Sequence, residues 1–125
     1  MTLIEEICNS LYHTQYHFHN EKELQQGVAK VLSSLGLNFS PEYYLGKRDR
    51  IDFMLLDLGI GLECKSDDSS GGTSLSAVTR QLMRYSQSSE IKSLILLTSM
   101  SKHKNLPLTL NDKPIYVVHL LHSFL

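Results

Sequence analysis

The spacing of apolar residues in the first third of the chain predicts two helices. Residues 1–17 carry apolar side chains at helical intervals: Leu3, Ile4, Ile7, Leu11 and Tyr12. A second helix is expected to begin after Asn20, an N-cap that would form a capping box with Glu23, and to end at Gly36. Its apolar face consists of Leu24, Val28, Val31, Leu32 and Leu35.

The middle of the chain has the apolar runs and turn signals of β-strands. Pro41 is expected to open a loop, and Tyr43-Tyr44-Leu45 predicts a first strand after it. Two apolar runs then flank the short turn Asp57-Leu58-Gly59. Residues 50–65 therefore predict a β-hairpin that supplies the second and third strands.

This hairpin would bring charged side chains together. Because residues i and i+2 of a strand share a face, Glu63 and Lys65 should point the same way and Cys64 the opposite way. Asp52 lies far enough from the turn to meet Glu63 across the pair, and Arg50 should share the face of Asp52. Two carboxylates and an ammonium group converging at the end of a sheet are explained by a divalent metal that acts on a phosphodiester.

The second half of the chain predicts further elements of both kinds. In order, these are a mobile polar loop at 66–74, an amphipathic helix from Leu75 to about Gln87, a strand at 94–98, a loop bracketed by Pro107 and Pro114, and a strand at 115–118 followed by an apolar tail to 125. The strand at 94–98 is continuously apolar, which is typical of a sheet covered on both faces. The chain is therefore expected to be of the α/β class.

Length and composition are those of one folded domain, residues 1–125, with 42% apolar residues. The net charge of −1, from 12 basic and 13 acidic residues, argues against a nucleic-acid partner. A bound cation that neutralised Glu21, Asp52 and Glu63 would leave 12 basic against 10 acidic residues. The basic residues near the hairpin would then form a local rim for a phosphate backbone: Lys47, Arg48, Arg50, Lys65, Arg80 and Arg84.

Other features of the sequence exclude several classes of protein. The first residues have no basic stretch or long apolar run, so no signal peptide is expected, and no segment approaches a membrane span. A Gly-x-x-x-x-Gly-Lys-Ser/Thr phosphate loop is also missing from the sequence. Of the two cysteines, Cys8 and Cys64, the second is expected to be buried. A disulfide is therefore not expected, and a reducing, cytoplasmic location is favoured.

The hairpin motif resembles that of a known enzyme superfamily. Asp52, ten intervening residues and Glu63-Cys64-Lys65 resemble the core motif of the PD-(D/E)xK nucleases, with Ile51 in place of the proline. The resemblance extends over about residues 20–100 and implies a restriction-endonuclease-like α-β-β-β-α-β core, a central mixed sheet flanked by helices. The strand and tail at 115–125 would follow this core.

The resemblance implies roles for the motif residues. Asp52 and Glu63 would bind Mg²⁺ or Mn²⁺, which prefer hard oxygen ligands, and the main-chain carbonyl of Cys64 would be a further ligand. Lys65 would orient or deprotonate the attacking water. Glu21, which faces the core side of its helix, would reach the metal through water as the first-helix glutamate of similar proteins does. The alternative is that these charges are ordinary strand-end residues or ion-pair partners.

The helix after the hairpin carries a second similarity. Gln81-x-x-x-Tyr85 resembles an additional motif of the lambda-exonuclease and RecB-like branch, in which the amide braces the site and the phenol lies near substrate. Tyr85 also fits the apolar face of the helix. Arg50, Arg80 and Arg84 would bind phosphates, although a solvated helix face is an equal alternative for the last two. The histidines at 13, 17, 19, 119 and 122 are expected to be surface or packing residues.

The sequence as a whole predicts a Mg²⁺-dependent deoxyribonuclease that hydrolyses phosphodiester bonds with a metal-activated water, as in DNA repair or recombination. DNA is the expected partner, with a homodimer or a helicase or replication partner to aid recognition; the apolar tail at 115–125 would be either a contact surface or core. The rival interpretation is a catalytically silent member of the fold that serves as a DNA-binding or assembly module. An RNA-directed nuclease of the tRNA-splicing type is disfavoured because those enzymes work without metal.

Overall fold

A mixed β-sheet with helices on both faces organises the chain, which is of the α/β class. A computed structural model describes residues 1–46, 48–66 and 73–121. Its elements are α1 (Leu3–His13), α2 (Glu21–Ser34), β1 (Phe39–Tyr44), β2 (Arg50–Leu55), β3 (Ile60–Lys65), α3 (Leu75–Ser86), β4 (Ser93–Thr98), a 3-10 helix (Ser101–Asn105), β5 (Thr109–Leu110) and β6 (Lys113–His119). From α2 to β4 the order is helix, three strands, helix and strand, as predicted from the sequence.

The direction of the strands explains where functional side chains can meet. The sheet order is β1-β2-β3-β4-β6-β5. β1, β2 and β3 form an antiparallel meander, whereas β3, β4 and β6 are mutually parallel. The parallel step from β3 to β4 requires a crossover, which α3 provides. The carboxyl ends of β3 and β4 therefore lie side by side, with Lys65 paired to Thr98.

The ends of α2 follow from local hydrogen bonding. The side chain of Asn20 accepts a hydrogen bond from the main-chain N–H of Glu23, as predicted for an N-cap. The carboxylate of Glu23, however, accepts from the N–H of His19 rather than from Asn20. At the other end Gly36 adopts φ +72° and donates to Ser33, which closes the helix in a left-handed turn that suits glycine.

Apolar side chains form one core on each face of the sheet. The first core joins α1 and α2 to the strands through Leu11, Leu24, Val28, Leu32, Phe53, Leu62 and Cys64, among others. The second core joins α3 to the opposite face through Val78, Leu82, Tyr85, Met54, Leu94 and Leu96. Both cysteines are free, and Cys64 is fully buried as predicted.

The carboxyl-terminal strand belongs to these cores. Ile115, Val118 and Leu120 are buried, because β6 pairs along β4 in the interior of the sheet. The alternative that the segment is core is therefore confirmed for these three residues, whereas Tyr116, Val117 and His119 are half-buried and the contact surface stays a prediction. Residues 122–125, which include His122, lie outside the described residues.

Two of the predicted segments differ in the structure. β1 begins at Phe39 and includes Pro41, which is tolerated because β1 is an edge strand and needs no N–H on its open side. The predicted loop between Pro107 and Pro114 contains a hairpin, β5 to β6, whose turn residues Asn111 and Asp112 adopt φ +51° and +63°. Of the polar loop predicted at 66–74, residues 67–72 lie outside the described part of the chain.

Candidate active site

Asp52 and Glu63 are joined by a reciprocal pair of hydrogen bonds across the hairpin. The ladder between β2 and β3 reaches Phe53 and Leu62, one step before the two acids. There the N–H of Asp52 donates to Glu63 Oε1 at 3.1 Å, and the N–H of Cys64 donates to Asp52 Oδ2 at 2.8 Å. Each carboxylate thus accepts a hydrogen bond from the backbone of the opposite strand. The predicted meeting of the two acids is confirmed, and one oxygen of each is held in place.

β2 does not alternate regularly at this point. Ile51 lies in the core beside α3, whereas Phe53 lies in the core beside α1 and α2, although the two residues are only two positions apart. The opposing residue of β1, Glu42, has a left-handed φ of +50°. Counting along a regular strand therefore does not place Arg50 on the face of Asp52. Arg50 is exposed at the start of β2, and its charge favours the ionised form of Asp52.

Lys65 lies on the same side of β3 as Glu63. Its Nζ is 3.5 Å from Glu63 Oε2, and both side chains are largely buried. Cys64 faces the other way, into the core beside α2, as strand geometry predicts. Since the backbone holds Glu63 Oε1 and the ammonium group approaches Oε2, Glu63 is oriented from both sides.

The electrostatics of the two acids are unusual. Burial raises the pKa of Glu63 to about 8, the negative charge of Asp52 adds to the effect, and Lys65 opposes it. Burial likewise raises the pKa of Asp52 to about 6, against the hydrogen bond from Cys64. Two buried carboxylates are costly to ionise together. A positive charge beside them would stabilise the doubly ionised form.

Glu21 and Glu23 lie in different surroundings on α2. Glu21 is the first residue of the helix and is half-buried. After the effect of burial, its negative charge contributes to the raised pKa of Asp52, which places Glu21 near the pair. Glu23 Oε1 accepts a hydrogen bond from the main-chain N–H of His19 at 2.6 Å. Of these two glutamates, Glu21 is therefore the one whose charge acts on Asp52, and its role at a metal stays a prediction.

α3 carries two buried polar groups, at Tyr85 and Gln81. Tyr85 is 2% exposed, and its hydroxyl donates to the main-chain carbonyl of Arg50 at 3.1 Å. Burial raises its pKa strongly, with Glu63 and then Asp52 as the next causes, so the ring lies near both acids. One turn earlier, Gln81 Oε1 is buried and has no hydrogen-bond partner. A buried acceptor of this kind calls for a donor such as a water molecule.

These groups are compatible with a hard divalent cation, although they do not form a complete ligand shell. Within the described ranges, no three His, Cys, Asp or Glu side chains are grouped to hold a metal ion. Asp52 and Glu63 offer two carboxylates, and the carbonyl of Cys64 and water would complete the coordination. Mg²⁺ commonly uses one or two carboxylates and several waters.

The predicted phosphate-binding residues differ in whether their side chains are exposed or already paired. Arg84 Nε lies 3.1 Å from Asp49 Oδ1, so this guanidinium is paired with the turn before β2. Arg48, Arg50 and Arg80 are exposed. Lys47 lies outside the described residues. The exposed arginines therefore remain candidates for a phosphate backbone, whereas Arg84 has a structural partner.

Histidines of the described chain do not build a metal site with one another. His13 is exposed and bonds the carbonyl of Asn9, while a groove of about 540 Å³ between α1 and β6 includes His119 in its wall. His103, by contrast, is fully buried between β4 and the start of α3 and was missed from the sequence. It stands in a polar stretch after a strand, which has no periodicity that would indicate burial.

Within the described chain, no helix combines the length and apolar character needed to cross a bilayer. Comparison with protein-family models, curated proteins and solved structures found no match to this chain.

Proposed function

We propose that this chain is a metal-dependent nuclease of the PD-(D/E)xK type that hydrolyses phosphodiester bonds in DNA. The observation that carries the proposal is the reciprocal hydrogen bonding of Asp52 and Glu63, with Lys65 Nζ 3.5 Å from Glu63. The α-β-β-β-α-β order from α2 to β4 and the mixed sheet support a restriction-endonuclease-like core. Buried acids with raised pKa values are typical of functional sites.

Asp52, Glu63 and the carbonyl of Cys64 would hold Mg²⁺ or Mn²⁺, with Glu21 acting through water. A bound ion supplies Lewis-acid activation and lowers the pKa of its water. The backbone N–H groups of Asp52 and Cys64 keep the two carboxylates from rotating, so their remaining oxygens are preorganised. Lys65 would donate hydrogen bonds to the attacking water and to the phosphate oxygen on which charge develops.

Gln81 and Tyr85 would serve the same site from α3, as in the lambda-exonuclease and RecB-like branch. The unpaired oxygen of Gln81 would accept a hydrogen bond from a water molecule of the site. Tyr85 would act through its bond to Arg50, which fixes the strand that carries Asp52. The bond of Tyr85 to Arg50 and the buried, unpaired oxygen of Gln81 support a bracing role for both residues.

DNA would approach along the exposed basic residues Arg48, Arg50 and Arg80. The net charge of −1 is small for a domain that binds nucleic acid alone, which supports a homodimer or a helicase or replication partner. The free, buried Cys64 is consistent with a reducing, cytoplasmic compartment and a role in DNA repair or recombination.

A cleavage assay tests this proposal. Purified protein is incubated with linear, nicked, branched and circular DNA in Mg²⁺, in Mn²⁺ and in EDTA. We expect cleavage of at least one substrate with metal and none in EDTA. Asp52→Asn should be inactive, while Asp57→Asn, a change of an exposed turn carboxylate, should remain active. Failure of the wild type to cut any substrate with either metal would refute the enzymatic proposal.

The catalytically silent alternative is favoured by one observation, the ion pair between Lys65 and Glu63, which would satisfy both charges without a metal. This alternative predicts DNA binding that is indifferent to Mg²⁺ and to Asp52→Asn. Gel-shift measurements on the same DNA molecules separate it from the enzyme.

A further inference from the structure

His103 links the end of β4, which lies beside Lys65 of β3, to the start of α3. Its ring is fully buried. Nδ1 lies 2.6 Å from Thr98 Oγ1, and Nε2 lies 2.7 Å from the main-chain carbonyl oxygen of Thr73. The imidazole thus joins the end of β4 to the residue just before Ser74, the N-cap of α3.

The partners of His103 determine its tautomer. A carbonyl oxygen can only accept, so Nε2 must carry the proton that binds Thr73. Thr98 Oγ1 already accepts from the N–H of Met100 at 3.0 Å, which leaves its hydroxyl proton for Nδ1. Burial lowers the pKa of His103, which favours this neutral form, although the bond to Thr73 opposes the effect. Both ring nitrogens are therefore satisfied in a single orientation.

Thr98 and Thr73, the two partners of His103, belong to segments next to the candidate site. Thr98 is the register partner of Lys65, and the N–H of Ser99 donates to the carbonyl of Lys65 at 3.1 Å. On the other side, Thr73 begins the segment that enters α3, which carries Gln81. The imidazole therefore connects the start of α3 to the end of β4, which neighbours the end of β3.

The opposite end of α3 has its own attachments. Tyr85 bonds the carbonyl of Arg50, and Arg84 pairs with Asp49. In addition, the side-chain amide of Asn111 donates to Ser86 Oγ at 2.9 Å. Gln81 lies between these attachments and the one at Thr73, so its position depends on both ends of the helix.

We propose that His103 is a positioning residue of the active site, which holds the start of α3 against the β3–β4 end through Thr73 and thereby aligns Gln81 with Lys65. This role rests on the proposed nuclease function. His103 does not touch substrate in this role. Its loss should therefore reduce turnover and leave the affinity for DNA largely unchanged, because the exposed residues Arg48 and Arg50 lie outside α3 and are not moved.

Two substitutions separate the two hydrogen bonds of the ring. In His103→Gln the amide nitrogen reaches about as far as Nε2 and can still donate to Thr73. In His103→Asn the shorter amide mimics Nδ1 and can still bond Thr98, but it loses Thr73. We expect His103→Gln to keep kcat within a few-fold of wild type. We expect His103→Asn to lower kcat on the order of tenfold to hundredfold at similar KM, as misplacement of a catalytic group does.

Stability is controlled for in parallel. Unfolding midpoints are measured for both variants and for Val31→Ala, which lies in the core on the other face of the sheet. Activity that simply follows the loss of stability, or equal kcat in the Asn and Gln variants, would overturn the positioning role.

Amide hydrogen exchange gives a readout independent of activity. The N–H groups of Ala77 and Val78 bond to Ser74 in the first turn of α3. Their exchange should be faster in His103→Asn than in His103→Gln. If the wild type cuts no DNA, the nuclease proposal fails by itself. Unchanged exchange at Ala77 in the Asn variant would separately refute the link through His103.

Discussion

The hydroxyl of Tyr85 donates a hydrogen bond to the main-chain carbonyl of Arg50, at 3.1 Å, and so ties α3 to β2 two residues before Asp52. Tyr85 is also part of the core beside α3. The phenol is thus a support for the strand that bears a proposed metal ligand, and its oxygen is directed at the backbone.

Tyr85→Phe should therefore destabilise the fold and weaken activity only moderately. The ring keeps its packing, but a carbonyl loses its partner, at a cost of about 1–2 kcal/mol in free energy of unfolding. Urea unfolding measures the change. Tyr43→Phe is the matched control, because the Tyr43 hydroxyl bonds Glu90 at the surface and its loss should cost less. Equal losses in the two variants would show that the bond to Arg50 is not stabilising.

Asp52→Asn should weaken Mn²⁺ binding at least about tenfold, or about 1.4 kcal/mol. The amide oxygen can still accept from Cys64, so the strand pairing should persist while the charge is lost. Calorimetric titration compares the variant with wild type and with Asp57→Asn. Equal affinity in wild type and Asp52→Asn would sink the assignment of Asp52 as a ligand.

Lys65→Met should lower the cleavage rate on the order of 10²–10⁴-fold while folding persists. The apolar stem is retained, and Glu63 can remain protonated because burial and Asp52 already raise its pKa to about 8. Single-turnover cleavage and circular dichroism are the measurements. Lys92→Met, at an exposed position, should cut normally. A near-normal rate in Lys65→Met would mean that Lys65 is only an ion-pair partner.

Without metal, the protein should become less stable as pH rises from about 6 to about 8.5. Burial raises the pKa of Glu63 to about 8, so the folded state holds this proton more tightly than the unfolded state, whose carboxyl has its usual value of 4.5. The stability that the Glu63 proton contributes is fully present below pH 4.5 and is lost as pH rises through the folded pKa. The pKa of Asp52 is raised to about 6, so Asp52 also stabilises the protein at low pH and less as pH rises.

Urea unfolding in EDTA across this pH range tests the sign. Glu63→Gln, which cannot titrate, should flatten the dependence above pH 6.5. A wild-type protein that gains stability between pH 6.5 and 8.5 would contradict the prediction. So would a Glu63→Gln variant with an unchanged slope.

Glu21→Gln should reduce activity far more than Glu23→Gln. The charge of Glu21 acts on Asp52, whereas the carboxylate of Glu23 accepts a backbone hydrogen bond that a glutamine oxygen can also accept. Initial cleavage rates at several Mg²⁺ concentrations compare the two variants. The reverse order of activity would show that the helix presents Glu23 to the site instead.

Local patterns of the sequence were sufficient to predict most elements. The apolar spacing of α2, the cap at Asn20 and the hairpin around Asp57-Leu58-Gly59 depend on contacts between near neighbours, so they are readable without the fold. The pairing of Asp52 with Glu63 also follows from a short turn and the two-residue period of strands.

Other features depend on contacts between residues that are distant in sequence, and only the tertiary structure shows them. The irregularity of β2 at Asp52 lies opposite Glu42, which has a left-handed φ, and a regular alternation of side chains could not predict it. The burial of His103 depends on Thr73, 30 residues away in sequence, and the pairing of β6 with β4 turned an apolar tail into core. The local elements and the motif could be predicted from the sequence, because they depend on neighbouring residues. Packing between elements decided which polar groups were buried together.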